Sequence, residues 1–262
     1  MVSHLGISSS FNISRYLLGN ALTSKYFSYS NDMKDLFRAL SAYLRSESEG
    51  GTCNPDLYYN RGMVLQYMLD YANALQAYHT ACTIDKMLYD ARRLFNELHA
   101  YILKLNTTYS EQIVFLNHNP RFVNAFANAY PGSIAVTELK NGSNKKHSLI
   151  VKILADVVHS TPPYNYMCMD THGNTVLLCF YNIAEGIRYF KVENTVVVKN
   201  PNLLERKGST SQWDILRSFP IIQIFDLKDV TVDNQPVPDD VIVPTVLKSI
   251  LLSEDNVRAP LV

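Results

Sequence analysis

Apolar residues along this 262-residue chain repeat with two different periods. From Ile13 to about Leu105 they recur every three or four residues, which is the spacing of one helix face. Leu94, Leu98, Ile102 and Leu105 form one such stripe and predict a closing helix over 90–105, ended by Asn106-Thr-Thr. In the following stretch Ile113, Leu116, Phe122, Val123 and Phe126 fit either a helix or irregular packing, so it reads as a linker with a short helix. Beyond Pro131-Gly132 the period falls to two, as in a half-buried strand. Strands are predicted at Ile134–Leu139, Leu149–Val158, Tyr164–Met169, Thr175–Tyr181, Thr195–Val198, Trp213–Arg217 and Pro220–Phe225. Asn141-Gly-Ser-Asn, Thr171-His-Gly-Asn and Asp233-Asn-Gln are turn signals between them. Ile183–Gly186 reads as a short helical turn, and the end from Leu252 as frayed. The expected division is a helical region 1–105, a linker 106–130, a β domain 131–240 and a C-terminal tail 241–262.

Within the helical region, residues 55–86 carry a fixed set of spacings. Gly62 follows Tyr58 by four residues, Ala74 follows Gly62 by twelve, and Tyr78 and Ala81 come four and seven after Ala74. Ile84-Asp85 closes the second helix, and Tyr59 stands beside Tyr58 at the start of the first. Gly62 and Ala74 are small enough for two helices to cross there, while Tyr58, Tyr78 and Ala81 are expected to fill the gap to a neighbouring hairpin. This is the pattern of a tetratricopeptide repeat. One such hairpin cannot bury its apolar face alone, so neighbours are implied. A weaker copy lies upstream: Tyr16–Ala21 with Gly19 at the crossing, then Ala39–Tyr43. Gly19 to Ala39 spans twenty residues rather than twelve, which implies an insertion of eight, expected within Tyr26–Lys34 as a surface loop. Arrays of this kind present a groove that binds peptides. Asn60, Arg61 and Asp85 are the candidate peptide-binding residues. Arg61 occupies a position usually held by leucine, so it must reach solvent or find a carboxylate.

Five or six antiparallel strands and one short helix over ~110 residues suit a small closed barrel. The OB-fold is the first expectation, because closure removes exposed strand edges, and a β-sandwich is the alternative. The chain is therefore expected to be α+β and multidomain, with helical repeats followed by a small antiparallel barrel. Tyr164, Tyr166, Tyr181, Tyr189, Phe190 and Trp213 lie in the barrel region with Arg188, Lys199, Arg206 and Lys207. Aromatic rings beside cations are how OB grooves stack single-stranded nucleic acid. The competing reading puts the rings in the core and the cations in solvent.

Composition narrows the function classes. Lys plus Arg is 24 and Asp plus Glu is 24, so charge alone does not announce a nucleic-acid binder. Cys53, Cys82, Cys168 and Cys179 lack metal-ligand spacing and read as free thiols in a reducing compartment. No glycine-rich phosphate loop, nucleophile elbow or His-Glu-x-x-His motif is present, and the seven histidines are scattered. No catalytic residue, metal site or cofactor is therefore expected. No apolar run reaches the ~18–20 residues of a membrane span, and Met1–Ser14 lacks the charged start of a signal peptide.

The order of these parts, with several local words, resembles the tetratricopeptide repeat protein 5 family, also called Strap. The matching words are Tyr16-Leu-Leu-Gly-Asn, Tyr26-Phe-Ser, Ala39-Leu-Ser-Ala-Tyr, Asn54-Pro-Asp-Leu, Asn60-Arg and Tyr71-Ala-Asn-Ala-Leu. In the β half they are Val176–Ile183 and Val196-Val-Val-Lys-Asn-Pro-Asn-Leu. The resemblance implies a non-enzymatic adaptor, nuclear and cytoplasmic, pairing a repeat array with an OB-fold. It implies a stress-responsive transcription cofactor bridging acetyltransferase complexes. It also implies recognition of nascent tubulin at the ribosome, in tubulin mRNA autoregulation. The family's acidic groove residue maps onto Asp85. The alternative function is single-stranded nucleic-acid binding through the barrel. Three departures follow. The chain opens at the family's next-to-last repeat, which places the upstream repeats and their groove arginine outside these residues. The family's lysine-rich stretch after the capping helix is replaced by Asn106-Thr-Thr-Tyr-Ser-Glu-Gln, and Asp85 is followed by Lys86 rather than proline.

Overall fold

The structure is a computed structural model that describes residues 3–157, 161–183, 189–205 and 211–246, with side chains from Asn12 onward. Contacts gather these residues into two units. The first takes in 3–100, 211–214 and 246, and the second the described residues of 101–205 and 215–245.

The first unit is built from helical hairpins. Helix α1 (Ser3–Lys25) runs into a five-residue π-helical turn, Tyr26–Ser30, before α2 (Met33–Ser48). A short 3-10 turn, Gly51–Cys53, precedes α3 (Pro55–Tyr67) and α4 (Tyr71–Ile84), and α5 (Tyr89–His118) begins in this unit. Helices α2, α3 and α4 each start on a side-chain cap. Asp32 accepts from the Lys34 amide, Asn54 from those of Asp56 and Leu57, and Asp70 from that of Asn73. These bonds satisfy amides that have no partner inside the helix.

The two hairpins share one crossing. A Cβ placed on Gly19 would lie 2.5 Å from the ring of Tyr43, and one placed on Gly62 would lie 2.6 Å from the ring of Tyr78. Both rings are fully buried, as are Ala39 and Ala74. Glycine is thus required by a tyrosine of the same hairpin. Tyr78, expected to fill the gap to the next hairpin, instead fills its own crossing. The expected surface loop in 26–34 is also corrected. Tyr26 and Phe27 are 1% and 4% exposed, and both pack edge-on against Tyr67. An insertion with two aromatic rings is a packed turn because those rings have a core to enter.

In the second unit α5 continues to His118 and α6 follows at Pro120–Ala129. Asn106-Thr-Thr does not end the helix. The Asn106 amide donates to the Ile215 carbonyl at 2.7 Å and accepts from the Arg217 amide at 2.9 Å. Thr107 returns its hydroxyl to the Leu103 carbonyl. The Asn106 side chain, which would compete with the helix backbone, is therefore occupied elsewhere.

Nine short strands follow among the described residues: β1 (Gly142–Ser143), β2 (Ser148–Val157), β3 (Tyr164–Asp170), β4 (Thr175–Phe180), β5 (Thr195–Lys199), β6 (Asn202–Leu204), β7 (Ile221–Ile224), β8 (Val230–Val232) and β9 (Gln235–Pro236). They form one sheet in the order β1-β6-β7-β4-β3-β2-β5-β8-β9, antiparallel except for β4–β7. The sheet is therefore mixed, and among the described residues no ladder closes it into a barrel. The six-strand run from β6 to β5 nonetheless has ends only two residues apart in sequence, Asn200 and Pro201, so the sheet must curl. Asn200 turns the chain there with φ 49°, and Asn144 donates its amide to the Pro201 carbonyl. Two predicted strands are absent. Residues 134–139 contain a 3-10 turn, Val136–Glu138, held by Glu138 accepting from the Ala135 amide and by Asp170 accepting from that of Val136. Trp213 lies in a turn outside the sheet.

The core lies inside the curl. Leu149, Val151 and Ile153 from β2 meet Tyr166 and Cys168 from β3, Val176, Leu178 and Phe180 from β4, and Ile222 and Ile224 from β7. On the other face Met169, Ile150 and Leu154 meet Leu116 of α5 and Phe126 of α6. Every position of β4 is buried, which fits its near-continuous apolar run. The predicted helical turn at 183–186 lies mostly, and the frayed end wholly, outside the described residues.

Candidate functional site

Asn60 and Arg61 sit in the middle of α3 and look to different helices. Asn60 donates from Nδ2 to Asn20 Oδ1 at 3.0 Å and to Tyr16 Oη at 3.3 Å, both on α1. Asn20 Oδ1 also accepts from Tyr43 Oη of α2 at 2.9 Å, and Tyr43 shares a 3.3 Å bond with Thr23. Burial pushes the Tyr43 phenol well above its ordinary value, so it stays a neutral partner.

Arg61 has found its carboxylate. Its Nη1 lies 2.6 Å from Glu47 Oε2, its side chain is 13% exposed, and its guanidinium stacks 4.9 Å from the centre of the Tyr58 ring. Tyr58 donates its hydroxyl to the other Glu47 oxygen at 2.9 Å. Burial, then the bond to Glu47, pushes the Tyr58 phenol up to about 12. The Arg61 charge is thus spent within the hairpins. Asp85 stands at the C-terminal end of α4. Its amide bonds back to the Ala81 carbonyl, and its Oδ1 accepts from the Met87 amide at 2.8 Å. Among the described residues no hydrogen bond or ion pair links it to Asn60 or Arg61.

Of the candidates in the β half, Arg188, Arg206 and Lys207 lie outside the described residues. Lys199 is exposed at the end of β5 and lines a cleft of about 190 Å³ with Asn202, Gln223, Asp226 and Asp229. Two carboxylates sharing that cleft oppose a phosphate. The rings are core. Tyr166, Tyr181 and Phe190 are 6%, 0% and 3% exposed, and the half-buried Tyr164 and Tyr189 pack against the same cluster. Cys168 and Cys179 are buried, and burial pushes both thiols well above their ordinary value.

Two features were not read from the sequence. One is the pairing of Asn60 with Asn20, forty residues away. The other is an aromatic cluster in the first unit, where Trp213 lies 5.1 Å from the ring of His79 and 5.3 Å, edge-on, from Phe95. Its sequence position places Trp213 with the β half; its ring partners are on α4 and α5. Among the described residues no group of three or more metal-type ligands converges, and no helix is long and apolar enough to cross a membrane.

Residues 132–246 match the family model described as the tetratricopeptide repeat protein 5 OB fold domain. The chain is similar to the tetratricopeptide repeat protein 5 family. It is 25% identical over 228 residues to the human protein of that name, a match covering 77% of this chain and 52% of the relative. The mouse and bovine proteins are each 24% identical over the same length, with the same coverage. The chain thus spans about half the length of the curated relatives it matches. The OB-fold match begins at Gly132, where the sequence period changes, and runs to Val246, so it takes in the curled sheet.

Proposed function

We propose that this chain is a non-enzymatic adaptor. Its hairpins are tetratricopeptide repeats that receive a partner's peptide segment, and its curled sheet is an OB-fold barrel serving as a second interaction module. The observation that carries this reading is the crossing built twice, a glycine under a buried tyrosine at Gly19–Tyr43 and at Gly62–Tyr78. Two units with one internal packing stack side by side, as repeat arrays do. On family resemblance we extend the proposal to a stress-responsive transcription cofactor associated with acetyltransferase complexes, and to recognition of nascent tubulin at the ribosome, in cytoplasm and nucleus. Asp85 is proposed as the acidic residue of the peptide groove, and Asn60 as a neutral contact.

Single-stranded nucleic acid is the competing ligand. Tyr166 and Phe190 are in the core of the sheet, Tyr181 is buried, Trp213 lies outside the sheet, and Lys199 shares its cleft with Asp226 and Asp229. The test is fluorescence anisotropy with an oligothymidylate of about fifteen nucleotides across ~0.05–0.2 M salt. The adaptor reading expects no saturable binding in the range of even non-specific binders, Kd of roughly 10⁻⁴–10⁻⁶ M. Micromolar binding that falls steeply with salt would overturn it in favour of the nucleic-acid reading.

A further inference from the structure

We propose that the loop between β1 and β2 is a docking surface for a short acidic segment of a partner protein. The proposal rests on the reading of the curled sheet as a second interaction module. It names the face that docks and the chemistry of what docks there.

Lys145, Lys146 and His147 stand in that loop, and Lys199 lies opposite Ser148 in the ladder of β2 and β5. All four are exposed, and among the described residues none is in an ion pair. Acids and bases balance over the chain at 24 each, so this is a local excess of positive charge. The loop backbone is held in place. Asn144 is 8% exposed, donates to the Lys140 and Gly142 carbonyls at 2.8 Å, and accepts from the Lys140 amide at 2.8 Å. The Lys146 amide donates to Asn200 Oδ1 at 3.0 Å, and the Asn200 amide to the His147 carbonyl at 2.9 Å. A loop already ordered loses little freedom when a partner binds.

Lys146 decides between an idle charge and a used one. Its φ is 68°, in the left-handed region that glycine or asparagine enters at least cost. Among the described residues Leu69 and Glu193 are the others there that are not Gly, Asn or Asp. Leu69 is 2% exposed and packs in the core, and Glu193 pairs with Lys152 at 3.3 Å. Each side chain is used within the fold. The Lys146 side chain makes no hydrogen bond or ion pair among the described residues. A lysine kept at a strained position without an internal contact points to an external one, and its charge calls for an anion.

Carboxylates suit the surface better than phosphates. The cations are lysines and a histidine, without the arginine fork that grips phosphate through two parallel bonds. The cleft lined by Lys199 and Asn200 also holds Asp226 and Asp229. A long phosphate chain leaving the loop on that side meets two carboxylates, whereas a short acidic peptide ends before them.

The test is fluorescence anisotropy of the whole chain with a labelled peptide of alternating Glu and Gly, about twelve residues long. The same peptide with Gln for Glu and the oligothymidylate serve beside it. The Glu peptide should bind and weaken between ~0.05 and 0.2 M salt, and the Gln peptide should not bind. Lys145→Gln and Lys146→Gly should each weaken the Glu peptide roughly two- to fivefold, the range of an exposed charge pair. Lys146→Gly should also keep or raise the thermal midpoint, because glycine suits the left-handed backbone. A clear fall in that midpoint would show that the lysine serves the fold, which contradicts the proposal. Glu-peptide binding unchanged in both variants would move the docking face elsewhere and leave the second module standing. No binding of the Glu peptide sinks the acidic partner alone. Micromolar oligothymidylate binding that the same variants abolish would give the loop to nucleic acid and overturn the adaptor reading with it.

Discussion

The two helical hairpins are alike where their helices cross and unlike where their helices join. At each crossing a glycine lies under a fully buried tyrosine, and the tyrosine hydroxyl donates to a side-chain amide oxygen at 2.9 Å, Asn20 in the first hairpin and Gln66 in the second. The joins have an Asp cap and a left-handed residue in common and differ in the rest. The second hairpin turns through Met68, Leu69 and Asp70, with Leu69 in the left-handed region at φ 65°. The first turns through the π-helical segment, with Tyr26 and Tyr67 hydroxyls 3.1 Å apart and a buried Asp35 held by Lys25 at 2.9 Å and Ser30 at 2.8 Å. The crossing therefore defines the unit. The join can lengthen by eight residues provided its rings enter the core and its carboxylate is paired.

If the crossings are equivalent, Gly62→Leu and Gly19→Leu should do equal damage. Each forces a side chain into a buried ring, at a cost of ~1–3 kcal/mol or more. For a domain of about 100 residues, thermal melting should drop by roughly 4–8 °C per kcal/mol. A loss at Gly62 with none at Gly19 would break the equivalence and remove the upstream repeat.

The joins should separate under a smaller change. Tyr26→Phe deletes a buried hydroxyl facing Tyr67 and should cost about 1 kcal/mol by denaturant unfolding. The second hairpin has no counterpart, so a result near zero would mean that the π-helical turn is not packed as described.

The smallest effect concerns pH. Bonds from Lys25 and Ser30 hold the Asp35 carboxyl below its ordinary value. An acid with a depressed folded pKa stabilises the fold above its unfolded value, near pH 3.9, and loses that contribution as pH falls through the folded value. Asp35→Asn should flatten the acid limb of the stability profile below about pH 4 and leave the rest parallel. An unchanged acid limb would mean that Asp35 is not paired in solution.

What the sequence revealed depended on the range of the signal. Gly62 and Gly19 were legible because a small residue at a fixed distance from an alanine is a local pattern, and the change of period at Pro131 was legible for the same reason. Asn106-Thr-Thr misled because its partners, Ile215 and Arg217, are more than a hundred residues away. Strands β6, β8 and β9 have three, three and two residues, too few for alternation to register. At the site, the need of Arg61 for a carboxylate followed from its position, but the identity of Glu47 required the fold. Asn60 stood out as a polar residue on a helix, while Asn20 gained meaning only when α1 was brought beside α3.

The proposal to test is that the hairpins receive a charged peptide with Asp85 as one charged wall, the Arg61 charge being paired with Glu47. Calorimetry with the N-terminal tetrapeptide segment of nascent tubulin tests it directly. The partners are this chain alone and this chain extended by the upstream part of human tetratricopeptide repeat protein 5. A charge-assisted bond contributes ~1.5–3 kcal/mol, so the chain alone should bind at least tenfold more weakly than the extended form. Asp85→Ala in the extended form should weaken binding again. Tight binding by the 262-residue chain alone, or none by the extended one, would contradict the account.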